Sequence, residues 1–161
     1  MVLYQVSGEL MQGFLGNILY ETVLPKKTEK LEIIVSFGKR EKEAVTEADR
    51  AACRLAWRSN LGKEPSEEET DMLIRGQKTE INVSVYHNDV QLGCAHRDET
   101  TKRIVIAPDG SSDGFRPWRP CGGVLRIALH VYQMLNDHTP YQVTVTDGSG
   151  DESTISESGI A

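Results

Sequence analysis

The residues best placed to do chemistry sit close together in one stretch, Asp109–Gly123 (DGSSDGFRPWRPCGG). It combines two arginines, a tryptophan, a thiol and a glycine pair. A connection of about 12–15 residues or more without structure of its own is uncommon and often functional. Arg116, Trp118 and Arg119 lie among two prolines, Pro117 and Pro120. Proline restricts its neighbours and holds side chains outward at low entropic cost. Trp and Arg are the types most enriched at binding hot spots. The segment is therefore expected to contact a protein or a small anionic ligand. The plain alternative folds Trp118 back over the sheet and leaves the arginines in water.

Cys121 supports a different chemistry. A helix is expected over residues 122–136, and Cys121 would then occupy its N-cap or first turn. Free backbone N–H groups there, with Arg116 and Arg119, would favour the thiolate. Gly122 and Gly123 permit close approach, and their N–H groups could hold an oxyanion or phosphate. This is the pattern of a thiol-dependent enzyme with Cys121 as nucleophile or redox group. A base is missing from the local sequence; His87, His96 or Asp113 would have to be brought in by the fold. Without one, PCGG is a tight corner with a small inert thiol.

Other titratable residues carry less. Cys53, one turn before Trp57, and Cys94, on an apolar strand face, read as core residues. His130 joins Arg126 in a polar stripe, and His138 follows a helix end where a cation suits the dipole. No His/Cys pair has metal-ligand spacing, so no metal site is expected. No cofactor is called for either. Asp147–Asp151 starts like a calcium loop, but Glu152 stands where glycine is needed and Ser158 where the bidentate glutamate belongs.

The elements that position these residues follow from periodicity. Val2, Tyr4 and Val6 alternate with Gln5, Ser7 and Glu9, which describes a half-buried strand. Residues 14–23 form the return strand of a hairpin, and Leu31, Ile33, Val35 and Phe37 line a third. The period changes near Glu41: Val45, Ala48, Ala52 and Leu55 form a helical stripe, stopped by Asn60 and Gly62. Ser66 and Glu69 form a capping box for a short helix ending at Gly76. Ile81, Val83 and Val85 resume the strands, His87-Asn88-Asp89 turns the chain, and Val90, Leu92, Cys94, Ile104 and Ile106 continue. Residues 122–136 are apolar apart from a stripe of Arg126, His130 and Gln133, continued at Asp137, which favours a helix. Because VLRIALHVY also alternates, a strand competes for its first half. Residues 141–146 close the order βββ-α-α-βββ-α-β. That order predicts an α+β fold: one antiparallel sheet of six to seven strands with helices on one face.

The totals set the limits. The chain of 161 residues is one ordinary domain, with 39% hydrophobic and 26% charged residues. Net charge is −6, but the stretch from Asp147 on holds four acids and no base. The expected division is a domain over 1–146 and an acidic, disordered tail over 147–161. Without that tail 20 acids face 18 bases, a balance that argues against nucleic acid as the partner. Three widely spaced cysteines do not make a disulfide framework. No apolar run reaches the roughly 20 residues of a membrane span, and a cytoplasmic location is the expectation. Unprotected strand edges leave homo-oligomerisation open.

Overall fold

Leu31, Ile33, Val35 and Phe37 alternate with Glu32, Ile34 and Ser36, a pattern that requires one face to be covered. In the computed structural model, which describes residues 1–96 and 98–149, all four of the first set are buried. The chain runs β1 (Val2–Leu10), β2 (Gly16–Val23), β3 (Leu31–Phe37), α1 (Glu47–Leu61), α2 (Glu67–Gly76), β4 (Glu80–His87), β5 (Val90–Ala95), β6 (Thr101–Ile106), β7 (Val124–Gln133) and β8 (Thr139–Thr146). The strands make two four-stranded sheets, ordered β1-β8-β3-β6 and β2-β7-β4-β5. Every pairing is antiparallel. Ile33, Ile104 and Val143 of the first sheet share one core with Val83, Ile127 and Leu129 of the second. The sheets thus pack face to face as a sandwich.

This corrects the expected single sheet of six to seven strands covered on one face by helices. The decisive residues are 122–136, where the expected helix is replaced by strand β7. β7 lies between β2 and β4. A central strand is covered on its inner face by the other sheet and flanked by side chains on its outer face. Ala128 is buried on the outer side, between the inward-facing Ile127 and Leu129. Alternation is therefore blurred into a nearly continuous apolar run, which periodicity cannot separate from a buried helix. The polar residues Arg126 and His130 share one strand face as readily as one helical stripe.

A bulge corrects a second placement. Val85 pairs with Gly93 and Tyr86 with Gln91, so Leu92 is the extra residue. Leu92 stays buried, but the phase changes after it, and Cys94 faces outward, opposite Ser84, half-buried.

Between β3 and β4 the chain leaves the sheets to form α1 and α2. Both start at capping boxes, Thr46 with Asp49 and Ser66 with Glu69. Gly62 ends α1 in the left-handed conformation, φ 68°. The helix pair sits at one end of the sandwich. Lys42 Nζ donates to Leu135 O at 2.7 Å and pairs with Asp49 at 3.1 Å. The Asn136 side chain bonds both Glu43 N and Glu41 O. At the opposite end Asp147 N donates to Met1 O. The rest of the expected disordered tail, residues 150–161, lies outside the described residues.

The core includes one cation. Lys102 stands opposite Val35, in line with Ile104 and Ile106, and is only 1% exposed. Its Nζ donates to Glu99 O at 2.8 Å and lies 5.1 Å from the centre of the Phe37 ring. Burial, and then the charge of Arg40, push its ammonium below the ordinary lysine value, against smaller opposing pulls from Glu99, Asp98 and Glu80. A lysine pKa lowered by folding penalises the native state while the group is charged. The penalty is complete below the lowered native value and gone above the unfolded value of 10.5. Lys102→Met should therefore raise the urea midpoint at pH 7. The advantage over wild type should shrink as pH climbs towards 10.5, read by urea melts across that range.

Candidate functional site

A two-sheet sandwich has an open side wherever an edge strand of one sheet lies beside an edge strand of the other. On the β5/β6 side that gap is crossed by residues 107–123. Along β6, Ser112 N donates to Val105 O and Ser112 Oγ accepts from Val105 N, both at 2.9 Å. Trp118 N donates to Ala107 O at 3.0 Å. Along β5, Cys94 N donates to Gly114 O at 3.3 Å and Arg116 N to Leu92 O at 2.9 Å, flanking a bridge between Gly93 and Phe115. Gly93 makes this approach possible: a Cβ there would lie 2.1 Å from Gly114 O and 2.6 Å from the Phe115 ring. Phe115 is buried and joins the common core. The connection is long because it spans two sheets, and it is bonded to both.

The far half is held by a histidine. His87 ends β4 and is buried. Trp118 Nε1–H donates to His87 Nδ1 at 3.0 Å, and the ring's other nitrogen, Nε2, lies 2.6 Å from Gly122 O. With Nδ1 accepting, the proton sits on Nε2 and is donated to that carbonyl. One neutral imidazole thus ties the loop's indole to its glycine corner. Gly122 N donates to Pro25 O, and Leu24 N to Gly123 O. Gly123, at φ 74°, lies so close to Asn88 that a Cβ would be 2.2 Å from its Oδ1. Asn88 and Asp89 form the expected left-handed turn, with φ 46° and 67°. The β2–β3, β4–β5 and β6–β7 connections therefore meet at one corner.

Arg116, Arg119 and Cys121 are exposed on this framework, while Trp118 is half-buried and packs against the core. Arg116 has no carboxylate within 4 Å among the described residues, and Arg119 reaches only Glu29, at 4.0 Å. By contrast, Arg50, Arg54, Arg58 and Arg126 each hold a carboxylate at 2.9 Å or closer. Lys26 and Lys27, exposed on the adjoining β2–β3 loop, add two cations that periodicity does not single out. Their signal was a lysine pair directly after a proline. His87 was also missed, because a histidine at a hairpin tip is ordinarily solvated.

The helix start invoked for Cys121 is absent, since a strand follows it. Cys121 N donates to Arg119 O and Gly122 N to Pro25 O, so neither N–H is free for a thiolate or an oxyanion. His87 uses both ring nitrogens and is not available as its base. A second polar constellation lies on the outer face of the other end of β7. His130 Nε2 is 2.9 Å from Ser84 Oγ, and its Nδ1 is 2.6 Å from Asn17 Oδ1. The order resembles nucleophile, base and orienter. Ser84, however, is buried in a central strand whose N–H groups belong to the ladders, leaving no oxyanion donors. It acts as a cross-strand hydrogen-bond ladder. Among the described residues no cluster of His, Cys, Asp or Glu could hold a metal.

The model of a family of unknown function (DUF6669) matches residues 1–151, and the chain belongs to that family. No curated protein matches it.

Two substitutions test the pinning of the loop. Gly93→Ala should lift Gly114 and Phe115 off β5 and speed chymotryptic cleavage after Phe115 and Trp118, followed by mass spectrometry. Trp118→Phe keeps the ring but leaves the buried His87 Nδ1 without its donor. It should cost about 1–3 kcal/mol in urea unfolding.

Proposed function

We propose that this protein is a non-enzymatic binding domain. Its ligand is an anionic group, carried by a small molecule or by an acidic segment of a partner protein. Arg116 and Arg119 are the principal contacts. Lys26 and Lys27 extend the basic surface, and Trp118 supplies a rigid flank. One observation supports this above others: the two loop arginines stand on a backbone bonded to both sheets, with no acid among the described residues closer than 4.0 Å. A guanidinium is a planar fork suited to two-point recognition of carboxylate or phosphate. A loop ordered before binding loses little further entropy when the ligand arrives. Gly122 and Gly123 serve the site by holding the three loops together: both adopt left-handed backbone, φ 64° and 74°, and the small size of Gly123 admits Asn88 to the corner.

The test is an amide-resolved NMR titration with inorganic phosphate and, separately, with a Glu/Asp-rich peptide. Shifts should concentrate in residues 24–30 and 114–123. Arg116→Ala/Arg119→Ala should weaken the binding by about tenfold or more, equivalent to about 1.4 kcal/mol, with unchanged thermal midpoint. Absence of shifts with both ligands at millimolar concentration, or equal binding by the double variant, would overturn the proposal.

A further inference from the structure

The sandwich has four edge strands, β1, β6, β2 and β5. Three of them are guarded. β5 and β6 are bonded to the 107–123 loop. β1 shows solvent a polar row, Gln5, Ser7 and Glu9, and its register breaks between Val2 and Tyr4. Among the described residues, β2 has no such protection. It pairs without irregularity to β7, from Gly16 to Val23, and contains no proline or lysine. Its one charge, Glu21, is neutralised by Arg126 at 2.6 Å. Its outward side chains include Leu19, 60% exposed, and Val23, 75% exposed. Exposed Leu15 and Tyr132 lie at one end of this row, and Val124 stands beside Val23 at the other. Chains ordinarily blunt such an edge or give it a partner.

We infer that β2 pairs with the β2 of a second copy of this chain, antiparallel about a two-fold axis at Leu19. The two four-stranded sheets become one sheet of eight. The register follows from side-chain chemistry. With the axis at Leu19, Leu15 faces the second copy's Val23, Asn17 its Glu21, and Leu19 its Leu19. Each apolar residue meets an apolar one and each polar residue a polar one. Moving the axis to Tyr20 sets Leu19 against Glu21, and moving it to Ile18 sets Leu15 against Glu21. The polar pair is also complementary atom by atom. Asn17 Oδ1 is engaged with His130, which leaves its amide N–H groups to donate. Glu21 Oε1 accepts from Arg126, which leaves Oε2 to receive them. A C2 interface of this kind is self-complementary by construction.

The row from Leu15 to Leu19 lies across the sandwich from Phe115–Trp118, and only Val23 and Val124 adjoin the Gly123 corner; self-association is read without any ligand, so this inference stands or falls independently of the one proposed there. Sedimentation velocity over a concentration series should show a species of twice the chain mass. Leu19→Lys places two ammonium groups face to face on the axis and should return the protein to monomer with unchanged circular dichroism, its thermal midpoint no longer depending on protein concentration. In a Cys121→Ser background, Leu19→Cys should form an intermolecular disulfide under mild oxidation, because facing residues of antiparallel strands lie about 4.5–5.5 Å apart, within disulfide reach. Val2→Cys, on the β1 edge, should not. A monomer at every concentration, a dimer that persists in Leu19→Lys, or equal cross-linking through Val2→Cys would each refute the pairing.

Discussion

Two stacked sheets of four strands present four rows of edge N–H and C=O groups, and each row must be bonded, hydrated or covered. The treatment of those edges organises this molecule. On one side a single connection reaches from β6 to β5 and bonds to both, so its length is a structural requirement before it is a functional one. On the other side the backbones of β1 and β2 stay apart and side chains fill the seam. Tyr20 and Tyr141 share a hydroxyl contact of 2.5 Å, with the Tyr4 ring 6.2 Å from Tyr20. Burial, followed by the bond to Tyr141, holds the Tyr20 phenol above its ordinary value, so it remains neutral in the seam. Gly8 is small for the same reason, since a Cβ there would come within 2.8 Å of the Tyr141 hydroxyl.

The covered side depends on a sequence of close approaches. Gly93 lets the loop lie on β5, Phe115 anchors it in the core, and His87 ties Trp118 to Gly122. What stays exposed, Arg116 and Arg119, is held by backbone bonds on both flanks. The same tying commits two N–H groups beside the Cys121 thiol, its own to Arg119 O and that of Gly122 to Pro25 O. Rigidity and thiol chemistry compete here for the same donors, and the bonded corner takes them.

Much of the local structure was legible. The alternation in β1 and β3, the Ser66–Glu69 capping box, the Gly62 stop and the Asn88–Asp89 turn each follow from neighbours in sequence. The failures share a cause of another kind. β7 hides its period because both of its faces are covered, which depends on strands distant in the chain. Cys94 changes face because Leu92 bulges, and a bulge is defined by the partner strand. Lys102 points into the core because β6 must pair with β3 through Ile104 and Ile106, whatever residue precedes them. The loop residues were found because Arg, Trp and Pro mark themselves by type. His87 was missed because its role exists only once Trp118 and Gly122 arrive from more than thirty residues away.

The two surfaces have opposite characters for a physical reason. The loop side is held by backbone bonds, which leaves charged side chains free to point outward. The β2 side keeps its backbone unpaired and carries apolar side chains, with its single acid neutralised within the sheet. A strand edge of that composition gains by pairing both its backbone and its apolar row, and water satisfies only the first. Because the proposed pairing is antiparallel about Leu19, the Val23 ends of the two β2 strands, each beside its own Gly123 corner, point in opposite directions and carry the two loops towards opposite ends of the paired edge. Each keeps its full exposure, and neither arginine is lost to the interface. An anionic partner with two well-separated acidic segments would then meet both loops at once, and the second contact would be favoured by effective concentration alone. The proposed dimerisation would thereby strengthen the proposed electrostatic contact without adding any residue to the site.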